Sequence, residues 1–351
     1  MTNHETSNAT GNDTNLQFRL AARPVGMVKD SDWQQVSEPL RALADGEILV
    51  KVLYLSLDPA MRGWMNDAKS YIRPVAIGEV MRAGGVGVVV ESKSPKFAVG
   101  DHVSGGTGVQ RYWTGAADDK SASFHKIDPK LAPLTTYLNT LGMPGMTAYF
   151  GLLESGQPKA GETVVVSGAA GAVGQTVGQV AKQLGCRVVG IAGGQDKCDF
   201  VVNQLGFDAC IDYKGGSVKD GLKQHCPQGV DVYFDNVGGE ILDTVLTRIN
   251  LRARIVICGA ISQYNNTTPV KGPANYLSLL VNRARMEGIV VFDYADRYHL
   301  GVAALGGWLK EGKITSKEDV VQGLENFPQA LNMLFEGKNF GKLVLQVAPT
   351  K

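Results

Sequence analysis

Short β-branched runs alternate with stretches of helical periodicity over residues 163–294 of this 351-residue chain. Thr163 to Ser167 (TVVVS) carries no outward-facing polar position until its end, the pattern of a strand buried on both faces. Apolar residues then recur at helical spacing at Val173, Val177, Val180, Ala181 and Leu184, and Gly185 ends the helix. Cys186 to Ala192 is a second apolar strand. Four more follow at Ala209 to Tyr213, Val230 to Phe234, Arg254 to Cys258 and Gly288 to Phe292. Helices are predicted between them over 196–205, 217–225, 239–249 and 275–284. Strictly alternating strands and helices predict an α/β, doubly wound parallel sheet, here with the six strands of a full Rossmann sheet.

The pattern before residue 140 differs. Short strands such as Glu47 to Leu53 and Gly85 to Glu91 are separated by Pro/Gly turns, and Val99 to Val103 reads as a tight turn entering a strand. This predicts a mostly antiparallel, barrel-like domain. Gly341 to Val347 is again a strand, so the nucleotide-type domain, 141–311, reads as inserted into a domain made of 16–140 and 312–351. That arrangement places an active site in the cleft between the two. The first residues, 1–15, are polar and read as a disordered tail without the basic and apolar regions of a secretory signal.

The turn after the first strand carries the clearest chemistry. Gly168, Gly171 and Gly174 stand at three-residue spacing between strand and helix, where glycines permit a sharp turn and close approach to a pyrophosphate. The helix start behind them offers amides and a partial positive charge to that pyrophosphate. After the second strand the chain runs Ala192-Gly193-Gly194-Gln195, without the acid that would hold the ribose of NAD, and Lys197 follows. A cation in place of an acid favours the 2′-phosphate of NADPH; the competing reading gives the acid's part to Asp196 and leaves Lys197 solvated.

Composition removes several classes. A net charge of +1 with 20% charged residues argues against nucleic acid as a partner. No apolar stretch of about 18 residues appears, so nothing spans a membrane, and the chain reads as cytoplasmic. The cysteines, Cys186, Cys198, Cys210, Cys226 and Cys258, are odd in number and lack metal-site spacing, which predicts buried, reduced thiols.

Six co-linear motifs carry a family resemblance: YLSLDPAMRGWMND (54–67), LGMPGMTAYFGL (141–152), VVVSGAAGAVG (164–174), YFDNVGGE (233–240), CGAISQYN (258–265) and GKNFGKLV (337–344). With them the chain resembles the medium-chain dehydrogenase/reductase superfamily beyond residue 16. More narrowly it is similar to its zinc-independent double-bond reductases, namely the prostaglandin, plant alkenal and bacterial curcumin reductases. The resemblance implies a catalytic domain of GroES-like form. In the segment where zinc members carry Gly-His-Glu, this chain reads IGEVMRAGGVG (77–87), with Gly78-Glu79 but no histidine, and no cysteine precedes residue 186. No metal is therefore expected, and alcohol oxidation, which needs a Lewis acid, is disfavoured.

The resemblance implies the following roles. Gly171, Ala172, Val173 and Gly174, with Gly168, line the pyrophosphate of NADPH; Lys197 and Tyr213 take the 2′-phosphate and its ribose. Asn236, the segment Cys258, Gly259, Ala260, Ile261 and Ser262, and Ile289, Val290 and Val291 run beside the nicotinamide, while Asn339 reaches the cofactor from the C-terminal lobe. The reaction implied is hydride delivery to the β-carbon of an α,β-unsaturated ketone or aldehyde, with charge developing on the carbonyl oxygen. Tyr264 is the candidate donor to that oxygen. Tyr71 is a second candidate, pocket donor or plain surface-loop tyrosine. Plain readings stand beside the others too: strand packing for Tyr213, turn shaping for Asn236, packing against the cofactor for Tyr264. Quinone reduction, or NADPH binding without turnover, are the alternative functions. Relatives of this kind are homodimers, and VVFDY (290–294) is the expected dimer strand.

Overall fold

The computed structural model of the protein describes residues 14–350. The tail expected over 1–15 lies outside the described residues up to 13, and Thr14 and Asn15 already belong to a strand. The chain divides into two units. One holds residues up to Leu138, Val320–Asn332 and the chain from Leu343; the other holds Asn139–Asp319 and Met333–Lys342.

In the first unit β1 (Thr14–Leu20) pairs antiparallel with β2 (Trp33–Pro39). A larger sheet is built on β3 (Glu47–Ser56), β4 (Gly84–Ser92), β5 (His102–Gly106), β6 (Tyr112–Ala116) and β7 (His125–Lys126). β3 sits inside it, antiparallel to β4 and β6, and the order continues through β5 to β7. Ile48, Val50, Val89, Phe97, Val103 and Phe124 form one core on this sheet. A short helix, α1 (Ala60–Trp64), starts at Pro59, whose ring presets the helical φ.

The second unit contains a six-stranded parallel sheet: β8 (Thr163–Ser167), β9 (Arg187–Ala192), β10 (Ala209–Asp212), β11 (Val230–Asp235), β12 (Ile249–Ile257) and β13 (Arg285–Gly288). Their order is β10-β9-β8-β11-β12-β13, the doubly wound order that reverses direction beside β8. β8 is buried along its whole length. Val164 and Val166 point into one apolar cluster and Val165 into another, so both faces of the central strand are covered, as its unbroken apolar run requires. Helices α2 (Met143–Phe150), α3 (Ala172–Gln183), α4 (Gln195–Asn203), α5 (Val218–His225), α6 (Gly239–Leu246), α7 (Leu277–Asn282) and α8 (Tyr298–Lys310) belong to this unit. The closing elements are β14 (Glu318–Gln322), α9 (Phe327–Glu336) and β15 (Lys342–Gln346), with β15 completing the first unit's sheet against β3.

Three expectations are corrected. The sixth strand is Arg285–Gly288, and residues 291–297 wind into 3-10 turns. The apolar run there reflects Ile289 and Val291 packing on the core cluster, whereas β13 is an edge strand with outward Arg285 and Glu287. VVFDY is therefore not a strand of this sheet. The second unit also runs on to Asp319 instead of ending at 311. Gln179 receives the Thr315 amide at 2.7 Å, Gln175 that of Lys317 at 3.0 Å, and Ile314 is buried in the core. Finally, Cys198 on α4 and Cys210 on β10 form a disulfide, their Cα atoms 5.1 Å apart. They lie 12 residues apart in sequence, and packing α4 on β10 brings them together. Cys186, Cys226 and Cys258 are free thiols.

Candidate cofactor and active site

The carboxyl ends of the parallel strands gather most of the predicted residues. At the end of β8, Gly168 turns with φ of +60°, in the left-handed region that side chains disfavour. Gly171 caps α3, and its amide donates to the Gly168 carbonyl at 2.9 Å. A Cβ on Gly174 would strike that same carbonyl, so helix and turn meet backbone to backbone. The amides of Ala172, Val173 and Gly174 form the first turn of α3 and have no carbonyl four residues back within the helix. Such a turn is a cradle for an anionic diphosphate.

β11 ends on a buried acid that sequence reasoning passed over. One oxygen of Asp235 accepts from Ser167 Oγ (2.9 Å), Tyr233 Oη (2.8 Å), the Val237 amide (3.0 Å) and the Gly238 amide (2.9 Å). Four donors on one oxygen set the shape of the DNVGG turn and lock it to β8. Burial, followed by Asp235, raises the Tyr233 hydroxyl well above the usual tyrosine value. A signal existed in the sequence: an acid directly before a glycine turn whose amides need acceptors.

Asn236 follows, its side-chain amide donating to the Ser167 carbonyl at 2.7 Å and its backbone amide to Ser167 Oγ at 2.9 Å. The segment after β12 lies along this turn. Cys258 and Gly259 donate their amides to Asp235 O at 2.9 and 3.2 Å, Ile261 to Asn236 O at 3.3 Å, and Ser262 to Val237 O at 3.2 Å. Those four amides are thus committed to the protein, so a ligand meets this segment through carbonyl oxygens and side chains. Desolvation, with Asp235 second, pushes the Cys258 thiol up to about 12, which keeps it protonated.

Tyr264 stands at the end of a single 3-10 turn, Ile261–Gln263. Its hydroxyl oxygen accepts the Ala260 amide at 3.1 Å. Ile289 continues the ladder by donating to the Ile257 carbonyl at 3.1 Å, and Val290 is extended. Val291 turns its side chain into the core, and its carbonyl accepts from Tyr298 Oη at 3.2 Å.

At the ends of β9 and β10 lies a second group. Lys197, in the first turns of α4, donates to the Gly337 carbonyl at 2.8 Å. Burial, and then Lys214, hold its ammonium below the usual lysine value, against an opposing pull from Asp319. Tyr213 packs its hydroxyl end against Gly193 and remains partly exposed. The acid of this region is Asp212, whose carboxylate accepts the Gly194 amide at 2.7 Å and the Lys214 amide at 2.9 Å. Asn339 lies on the same loop as Gly337 and donates to the Gly341 carbonyl at 2.9 Å; its neighbour Phe340 packs edge-on against Phe200 at 5.0 Å. Tyr71 belongs to the first unit, where its phenol, largely exposed, accepts from Trp64 Nε1 at 3.2 Å.

Residues 16–123 match the family described as "N-terminal domain of oxidoreductase", and residues 172–305 the one described as "Zinc-binding dehydrogenase". The NADPH-dependent curcumin reductase of Escherichia coli is 44% identical over 340 residues, covering 95% of this chain and 97% of that protein. The 2-alkenal reductase (NADP(+)-dependent) of Nicotiana tabacum is 43% identical, covering 95% and 98%. A crystal structure of CurA in complex with NADPH from Vibrio vulnificus superposes with a TM-score of 0.89 at 45% identity, covering 95% of this chain and 99% of that one. The chain belongs to the medium-chain dehydrogenase/reductase family. Among the described residues no three His, Cys, Asp or Glu side chains are grouped to hold a metal ion. Glu79, of the Gly-Glu pair, is bonded to Arg73 at 2.6 Å and to the Ala76 amide at 2.8 Å. NADPH does fit, since the glycine cradle, a cation-bearing strand end and a carbonyl-lined turn lie on one unit of this reductase.

Proposed function

We propose that the protein is a zinc-independent, NADPH-dependent reductase of the carbon–carbon double bond in α,β-unsaturated ketones and aldehydes, curcumin-like dienones included. The observation that carries this reading is the Tyr264 phenol, held by the Ala260 amide on the loop that follows β12. Bound NADPH supplies the hydride that adds to the β-carbon. Tyr264 donates a hydrogen bond to the carbonyl oxygen as charge grows there, and passes a proton toward the product. Tyr71 is the second donor, polarised by the indole N–H it accepts. Gly168 and Gly171 to Gly174 hold the pyrophosphate; Lys197 and Tyr213 hold the 2′-phosphate and its ribose. Asn236, Cys258 to Ser262 and Ile289 to Val291 hold the nicotinamide half, and Asn339 steadies the loop over the adenosine end.

Oxidation of NADPH measured against enals, enones, dienones and quinones tests the reading directly. Turnover of an enone is expected to fall about 10²-fold or more in Tyr264→Phe, the scale of losing an oxyanion donor. An undiminished rate removes Tyr264 from the role, and turnover of quinones alone replaces the substrate class. NADPH binding without turnover of any of them makes the protein a non-catalytic binder.

We also infer a homodimer. α7 turns Leu277, Leu280 and Val281 outward, at 57%, 74% and 67% exposure, close to the open edge at β13. An apolar face of this kind suits a second copy. Solution mass by light scattering, twice 37.5 kDa or not, decides it. We place the enzyme in the cytoplasm, where three of its five cysteines, Cys186, Cys226 and Cys258, would stay free thiols beside the Cys198–Cys210 disulfide.

A further inference from the structure

A second lysine stands beside Lys197 and has no part in the chemistry described so far. Lys214 follows β10 by two residues, and Gly337 lies on the loop before β15; both belong to the second unit, as Lys197 does. The Lys197 ammonium donates to the Gly337 carbonyl at 2.8 Å. A Cβ placed on Gly337 would stand 3.9 Å from the Lys214 ammonium nitrogen. Two cations thus converge on the backbone of one glycine. Lys214 is exposed, and its ammonium has no hydrogen bond or ion pair among the described residues.

The acids of this region are committed to backbone amides. One oxygen of Asp212 accepts the Gly194 amide at 2.7 Å and the Lys214 amide at 2.9 Å. Asp319 accepts the Phe340 amide at 2.9 Å. Neither carboxylate bridges the two ammonium groups. Burial, and then Lys214, hold the Lys197 ammonium below the usual lysine value, against the pull of Asp319. Like charges this close repel, and an anion arriving from solvent relieves both at once.

The surrounding contacts fix where such an anion sits. Asp212 ties Gly194, at the start of α4, to the chain at Lys214, and Phe340 packs edge-on against Phe200 of α4 at 5.0 Å. The segments carrying Lys197, Lys214 and Gly337 are therefore joined to one another. They meet past the carboxyl ends of β9 and β10, neighbours in the parallel sheet. In a doubly wound sheet the end of the second strand is where the adenosine ribose is read.

Resting on the NADPH reading of this site, we propose that Lys214 is a specificity-determining residue that holds the cofactor's 2′-phosphate together with Lys197. A phosphate monoester carries about 1.5 to 2 negative charges at pH 7, so a pair of ammonium groups matches it where one does not. Lys197 shares its donors with Gly337, while Lys214 offers all three of its own. Exposure makes Lys214 the weaker contact, since solvent and salt screen it. Preference for NADPH over NADH is thus divided between a half-buried lysine and an exposed one.

The test measures binding of 2′,5′-ADP and of 5′-AMP by calorimetry, two compounds that differ by the 2′-phosphate alone. Neither carries a nicotinamide, so the result does not depend on turnover. The ratio of Kd for 5′-AMP to Kd for 2′,5′-ADP is expected to fall about 3- to 10-fold in Lys214→Gln, and further in Lys214→Glu. Lys214→Arg, which keeps the charge, should hold the ratio within about twofold of the parent's. Each variant is read against its own 5′-AMP value, so a general disturbance of the adenosine site cancels. A parental ratio in both Lys214→Gln and Lys214→Glu overturns the proposal. If Lys197→Ala lowers the ratio in that same experiment, the 2′-phosphate reading stands without Lys214. A loss in Lys214→Arg as large as in Lys214→Gln also overturns it. Equal binding of the two compounds by the parent protein ends the 2′-phosphate reading and the proposal with it.

Discussion

Replacing Lys197 by alanine tests how the cofactor's phosphate is read. The Lys197 ammonium already holds one hydrogen bond, 2.8 Å to the Gly337 carbonyl. A charge-assisted bond to a phosphate is worth about 1.5–3 kcal/mol, and the bond to Gly337 given up in exchange about 0.5–1.5 kcal/mol. The net is roughly 1–2 kcal/mol, or about 5- to 30-fold in affinity. Kd values for NADPH and NADH, read by fluorescence titration, are expected to separate accordingly. NADPH weakens by that factor in Lys197→Ala, and NADH changes by less than about twofold. Equal effects on both cofactors would refute the assignment.

The pH dependence sharpens the test. Burial lowers the pKa of Lys197, and Lys214 adds to this, so its ammonium is lost at lower pH than an ordinary lysine's. The phosphate needs the charged form, so preference for NADPH falls as pH rises through that lowered value. On the acid side the phosphate takes up a proton near pH 6, by analogy with phosphoserine, and the preference falls again below about that pH. Lys197→Ala should flatten the alkaline limb and leave the acid limb in place.

Asp235→Ala would leave Ser167 Oγ, Tyr233 Oη and the Val237 and Gly238 amides without their shared acceptor. A loss of roughly 3–5 kcal/mol is expected, the scale of breaking a buried polar network, seen as a fall of about 10 °C in Tm. A shift of a degree or two would show that the DNVGG turn holds without it. Thiol titration of protein isolated without reductant and then denatured should find three reactive cysteines, Cys186, Cys226 and Cys258. Five would return Cys198 and Cys210 to a dithiol.

Legibility followed burial. β8, β9 and β11 were readable because strands covered on both faces keep continuous apolar runs, and the glycine turn because its spacing answers to a single backbone geometry. β13 was not, since an edge strand reading RMEG has no apolar signature, while the run that did, Ile289 to Phe292, owes its character to packing in a 3-10 turn. The extent of the second unit depends on Gln175 and Gln179 reaching residues 315–317. Side-chain amides of that kind carry no periodicity. Lys197 and Tyr213 were legible as residue types at a strand end. The contact of Lys197 with Gly337 was not, because 140 residues separate the two.

On the proposed reading, the two halves of the cofactor are recognised by opposite kinds of group, and the turn at residues 235–238 is the reason. At the adenosine end the site offers donors: the first-turn amides of α3 and the Lys197 ammonium. Beyond β11 and β12 the amides of Val237, Gly238, Cys258, Gly259, Ile261 and Ser262 are all turned inward, onto Asp235 or onto the carbonyls of residues 235–237. That inward commitment leaves carbonyl oxygens as the backbone groups for a ligand, and a carboxamide, which has an NH₂ to donate, suits them while a second phosphate does not. The same commitment places Ala260 N, which is not drawn inward, on the Tyr264 hydroxyl. The buried carboxylate therefore fixes the turn through the Val237 and Gly238 amides, and the backbone carbonyls of that turn, residues 235–237, draw in the amides that follow β12.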